Sequence, residues 1–101
     1  MRALALLALA GMGAAPALAQ SAGQWRGPAH IWASSCGYCH DAGGPGPVLK
    51  GRKLDPALIA TMVRNGVPGM PNFHAAEIDD RELATIARWV SAAPPSAVKA
   101  R

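Results

Sequence analysis

An all-α fold of about three short helices is the architecture this sequence predicts, and three observations predict it. No segment alternates apolar and polar residues over more than a few positions, so strand signals are absent. Two later segments carry apolar residues at helical spacing between good start and stop residues. Cys36-Gly37-Tyr38-Cys39-His40 sets two thiols and an imidazole close together in a segment that suits a helical turn.

The elements follow in chain order. Residues 1–19 read as a secretory leader: Arg2 is the positive start, Ala3 to Ala10 the apolar stretch, and Ala17-Leu18-Ala19 the small-residue cleavage site. The apolar run is broken by Gly11, Gly13 and Pro16, which argues against a membrane anchor. The expected mature domain is 20–101, one unit near the size where a lone hydrophobic core becomes marginal. A first helix is expected over about Ala29–Cys39, with Pro28 suited to its first turn and Ile31 and Trp32 facing the core. Gly43-Gly44-Pro45-Gly46-Pro47 is a helix-free loop.

The second helix has Asp55 as N-cap, Pro56 at its first position and Gly66 just past its end, with Leu58, Ile59, Met62 and Val63 as an apolar stripe. A loop from Val67 to Ile78 contains Met70. The third helix starts at Asp79, with Glu82 in capping-box register, and Leu83, Ile86, Ala87 and Val90 mark its buried face. Pro94-Pro95 ends it, and 94–101 is expected to be a disordered tail.

The pattern C-x-x-C-H is the attachment signature of a c-type haem. Cys36 and Cys39 would add to the porphyrin vinyl groups, and His40 would bind the iron from beneath the ring. A disulfide would close too short a loop to remove much unfolded-state entropy. A redox dithiol would want a βαβ surround, and zinc would want four ligands, while the chain offers only His30, His40 and His74 beside the two cysteines. A haem also gives a small chain a large apolar surface to wrap. Haem attachment takes place outside the cytoplasm, so the leader points to a bacterial periplasm.

Met70, flanked by Pro68, Gly69 and Pro71, is the candidate second axial ligand, since a thioether favours ferrous iron. Met62 lies in a helical stripe and reads as packing, and His74 is the remaining competitor. The Pro47 carbonyl is a candidate acceptor for the Nδ1–H of His40. Arg52, Lys53 and Trp25 are candidate partners for the haem propionates.

Charge narrows the functions. The chain carries 10 Lys+Arg against 6 Asp+Glu, a formal +4, of which Arg2 leaves with the leader. With no basic run or aromatic cluster, this is no nucleic-acid footprint. No convincing distal acid–base group accompanies Met70, so an enzyme or gas sensor with an open iron position is disfavoured.

Taken together, the haem motif, Gly46-Pro47, a methionine loop and a terminal helix holding Trp89 resemble the class I cytochromes c. That resemblance implies a small all-α fold wrapped around one covalent haem c with His40 and Met70 on the iron. It also implies crossing first and last helices, with Ile31 and Trp32 against Ile86 and Trp89. Pro28 stands where many members have glycine, and Gly27 lies one place earlier.

A narrower resemblance rests on Gln24-Trp25, Gly46-Pro47-Val48-Leu49, Gly51-Arg52, Met62-Val63-Arg64-Asn65-Gly66, Met70-Pro71, Phe73 and Asp79-Asp80. These segments are similar to the cytochrome subunits of flavocytochromes of the p-cresol methylhydroxylase type, over Gln24 to about Ala93. The resemblance implies a partner flavoprotein with covalently held FAD that oxidises a 4-alkylphenol, and a downstream protein acceptor. The chain itself would be a non-catalytic electron carrier. The alternative is a free, diffusible cytochrome serving a terminal oxidase or reductase. For docking, the uncharged run Gly66 to Phe73 and Tyr38 are expected to ring the haem edge, with Arg64 and Lys50 at the rim.

Overall fold

The computed structural model describes Gly11 and residues 21–96, so the leader apart from Gly11, Gln20 and the last five residues lie outside the described residues. The first helical run is continuous from Pro28 to His40 but changes pitch within it. It comprises α1 (Pro28–Ile31), a π-helical segment (Trp32–Cys36) and α2 (Gly37–His40). α1 starts at Pro28 after Gly27, whose φ of 104° lets the chain turn sharply into the helix. The wide turn spans Ser34 and Ser35, weak helix formers, and ends on Cys36, the first residue of the attachment pattern. One uniform helix was the expectation; the change of pitch has no periodic signature in sequence.

The other two helices start and stop where their caps require. In α3 (Pro56–Asn65) the Asp55 carboxylate accepts from the Ala57 N–H at 2.8 Å, and Gly66 follows with φ 68°. In α4 (Asp80–Ala92) the Asp79 carboxylate accepts from the Glu82 N–H at 2.8 Å. The reciprocal half of that capping box is absent, because the Glu82 side chain accepts from the Gly23 N–H instead. The N-terminal segment is laced to the loop before α4 by further bonds, Ala22 N–H to Ala76 O and Trp25 Nε1 to Glu77 O.

α4 packs against both α1 and α3. Their shared core is Ile31, Trp32, Ile59, Ile78, Leu83, Ile86, Ala87 and Val90. Trp32 and Trp89 meet across the helix crossing with ring centroids 5.9 Å apart. Truncating one of the larger aliphatic members to alanine costs roughly 2–5 kcal/mol, which is severe for so small a core. Ile78 is 2% exposed although it sits in a loop with no periodic neighbours.

The α3 stripe is narrower than its sequence suggests. Ile59 is buried, but Leu58 and Met62 are 50% and 41% exposed, because α3 turns only its Ile59–Val63 edge inward. After α4 the chain stays attached: Gly51 N–H donates to Ala93 O at 3.0 Å, and Pro95 packs on Gly51. Among the described residues no helix is long and apolar enough to cross a membrane.

Candidate haem site

Two loops and the first helical run enclose one apolar cavity of about 430 Å³. Cys36, Cys39 and His40 form one wall, Pro47 closes the side next to them, and Met70 belongs to the same lining. Ile59, Val63, Phe73, Ile78, Ile86 and Val90 supply its apolar walls.

The proximal side is built by a loop that folds back on the attachment turn. Gly46 N–H donates to Cys39 O at 2.7 Å and Gly44 N–H to Asp41 O at 2.9 Å. Glycine is required at both places: a Cβ on Gly44 would sit 2.6 Å from Cys39 O, and one on Gly46 would sit 2.9 Å from that oxygen and 3.1 Å from His40 Nδ1. This close approach carries Pro47 O to 2.8 Å from His40 Nδ1. A carbonyl can only accept, so Nδ1 is the donor in this bond, and Nε2 is left free of it. His40 itself is 9% exposed.

Met70 is presented by a tight turn. Val67 and Met70 exchange both backbone bonds, Met70 N–H to Val67 O at 2.9 Å and Val67 N–H to Met70 O at 3.2 Å. Pro68 and Gly69, the latter with φ 85°, fit the central positions of a type II turn. The base of the loop is tied to α3 by Phe73 N–H donating to Val63 O at 2.8 Å.

The two cysteines are not joined in a disulfide; Cys36 is half-buried and Cys39 exposed. Burial pushes the Cys36 thiol up to about 11, because an apolar surround disfavours the thiolate. A redox or nucleophilic cysteine needs the opposite shift, so the pair is poorly suited to dithiol chemistry. The donor set fits a c-type haem: one imidazole held through Nδ1, one thioether, two thiols on the same wall, and otherwise apolar lining.

Other residues singled out in the sequence lie elsewhere. Met62 and His74, the competitors of Met70, are absent from the cavity lining and exposed. Arg52 and Lys53 are also exposed outside it, and Trp25 has its indole N–H engaged by Glu77 O. Arg64 and Lys50, expected at an electrostatic rim, are both turned inward. Arg64 bonds Phe73 O and Asp80, while Lys50 forms an ion pair with Asp41 and covers two indole rings. Trp32 lines the cavity and donates its indole N–H to Asp41 at 3.1 and 3.2 Å, a pairing that no motif or spacing announces.

Comparison with known proteins bears on the same segment. Residues 23–90 match the family described as cytochrome c oxidase, cbb3-type, subunit III. The chain is 40% identical over 82 residues to the 4-cresol dehydrogenase (hydroxylating) cytochrome c subunit of Pseudomonas putida, covering 80% of this chain and 73% of that protein. A crystal structure of p-cresol methylhydroxylase superposes with a TM-score of 0.66 at 42% identity, covering 70% of this chain and 99% of that one. A structure of the same enzyme with substrate bound gives 0.65 at 41% identity, covering 69% and 96%.

Proposed function

The chain belongs to the class I c-type cytochromes, and on that premise we propose that it is the electron-accepting subunit of a periplasmic flavocytochrome. The observation that carries the reading is the apolar cavity whose lining includes both cysteines, His40 and Met70. When bound there, a c-type haem supplies an iron that changes oxidation state by one electron.

The residues divide the work of holding that group. Cys36 and Cys39 would tether it through thioethers, formed by adding each S–H across a vinyl group, which would remove both thiols from further chemistry. His40 would offer Nε2 to the iron; its bond to Pro47 O fixes the ring orientation and would make it a better donor. Met70 would offer a sulfur from its turn in the same lining, and soft ligation would favour the reduced state. The apolar walls keep water away, so little solvent reorganisation accompanies an electron's arrival. Arg52, outside the cavity wall, has no part in this proposal beyond its place in the sequence resemblance.

The proposed donor is a flavoprotein whose FAD oxidises a 4-alkylphenol and passes on its electrons singly. Its docking surface would draw on exposed, uncharged residues of the attachment turn and the methionine turn, Tyr38, Val67, Pro68 and Gly69, which suit a desolvated contact. The subunit carries out no bond chemistry of its own, and a downstream protein takes the electron away. The leader read at residues 1–19 supports export to the periplasm.

The experiment is purification of tagged protein from its native host. An FAD-bearing subunit should co-purify, and anaerobic addition of a 4-alkylphenol should reduce the haem. Isolation as a free cytochrome, reduced only by other donors, would favour a second reading supported by the oxidase-subunit family description, in which the chain delivers electrons to an oxidase.

A further inference from the structure

A cationic side chain is held behind the proposed proximal wall in a place where lysines rarely sit. The Lys50 side chain is only 19% exposed. Its Nζ lies 4.5 Å from the ring centroid of Trp32 and 5.0 Å from that of Trp89. Asp41 Oδ1 is 3.7 Å away, and the same carboxylate accepts from Trp32 Nε1. Ala92 to Ser96 complete the depression that holds Lys50 and Trp89. An ammonium withdrawn from water in this way is stabilised by two π faces and one carboxylate.

This cluster touches the proposed iron-binding wall at two points. Trp32 lines the cavity, and its ring centroid is 6.5 Å from that of His40. Asp41 follows His40 directly and ends α2 with an extended backbone. The Lys50 side chain is largely withdrawn from water and the Asp41 side chain is 49% exposed, so a charge left uncompensated here would reach the site only partly screened by solvent.

We propose that the Lys50–Asp41 pair, clamped on Trp32, sets the reduction potential of the site by keeping the wall behind His40 electrically neutral. Lys50 is a positioning residue in this scheme: it holds Trp32 and cancels the carboxylate that Trp32 binds. An unpaired Asp41 carboxylate stabilises the oxidised, more positive iron and lowers the potential. An unpaired Lys50 ammonium does the reverse. The proposal rests on the haem-binding reading of the cavity.

Equilibrium redox titration of the holoprotein at fixed pH and ionic strength tests it. Lys50→Gln should shift the potential down, and Asp41→Asn should shift it up. The double variant should lie between the two singles, and Lys50→Arg, which keeps the charge, should stay near the starting value. A merely structural cluster would move both single variants the same way or neither. Shifts of equal sign, or none, in variants that retain a normal haem spectrum would overturn this proposal and leave the haem reading standing. A purified chain without haem would overturn both. If Lys50→Gln fails to accumulate, the Lys50→Met and Asp41→Asn pair reads the same opposition of signs.

Discussion

Arg64 donates to the backbone carbonyl of Phe73 at 3.1 Å, which pins the methionine loop to the end of α3. The same guanidinium reaches Asp80 at the start of α4 at 2.8 Å. Asp80 is 95% exposed, so that ion pair contributes little, and the bond to the loop matters more. Arg64→Met should therefore cost about 1 kcal/mol of stability through the orphaned Phe73 carbonyl. Its larger effect should be on the loop: imidazole or cyanide should bind the ferric protein more tightly as Met70 is released more easily. Unchanged affinity for both would show that Arg64 does not anchor the ligand.

The identity of the sulfur ligand is separable by two substitutions. Met70→Ala should abolish the weak near-infrared band of thioether-ligated ferric haem, lower the potential and open the iron to added ligands. Met62→Ala should leave the spectrum alone, because Met62 lies outside the cavity lining and is 41% exposed. Loss of the band in the second variant alone would reverse the assignment.

Gly46 tests the proximal loop. Gly46→Ala would place a Cβ 2.9 Å from Cys39 O and 3.1 Å from His40 Nδ1, so the loop must back away. Losing the Pro47–His40 bond should destabilise the holoprotein by roughly 1–3 kcal/mol in denaturant unfolding. It should also raise the potential, because a less basic imidazole stabilises ferric iron less. A variant matching the parent in both respects would remove Pro47 from the account.

Docking is best probed at Val67, 37% exposed beside the methionine turn. Gly69 is the less suitable position, since its φ of 85° would strain any side chain placed there. Val67→Lys should weaken binding of the flavoprotein about tenfold or more, as a charge must be desolvated in the contact. The haem spectrum should stay unchanged. Equal affinity by titration calorimetry would move the interface off this loop.

The parts of this molecule that could be read in the sequence are those with local causes. Asp55, Pro56 and Gly66 bound α3 and Asp79 starts α4 because caps act within one turn of the chain. The helix-free loop after His40 is local in the same sense, since its glycines and prolines meet the attachment turn only a few residues away.

What could not be read depends on partners distant in the chain. Glu82 turns to Gly23 rather than completing its own capping box, because the N-terminal segment brings a backbone donor to it. Arg64 and Lys50 read as surface cations until Phe73, Asp80, Asp41 and the two tryptophans are placed around them. Ile78 is a lone apolar residue in a polar stretch, with no period to mark it as core. Leu58 and Met62 were legible as apolar but not as outward-facing, since periodicity gives a stripe and not its width.

The central claim is that Cys36, Cys39 and His40 hold one covalent haem in the cavity that Met70 shares. Intact mass measurement of the denatured, export-matured protein tests it most directly. The account predicts a species heavier than its polypeptide by one haem, with no thiol left to alkylate and no haem released by acid–acetone. A bare polypeptide mass with two alkylatable cysteines would contradict it.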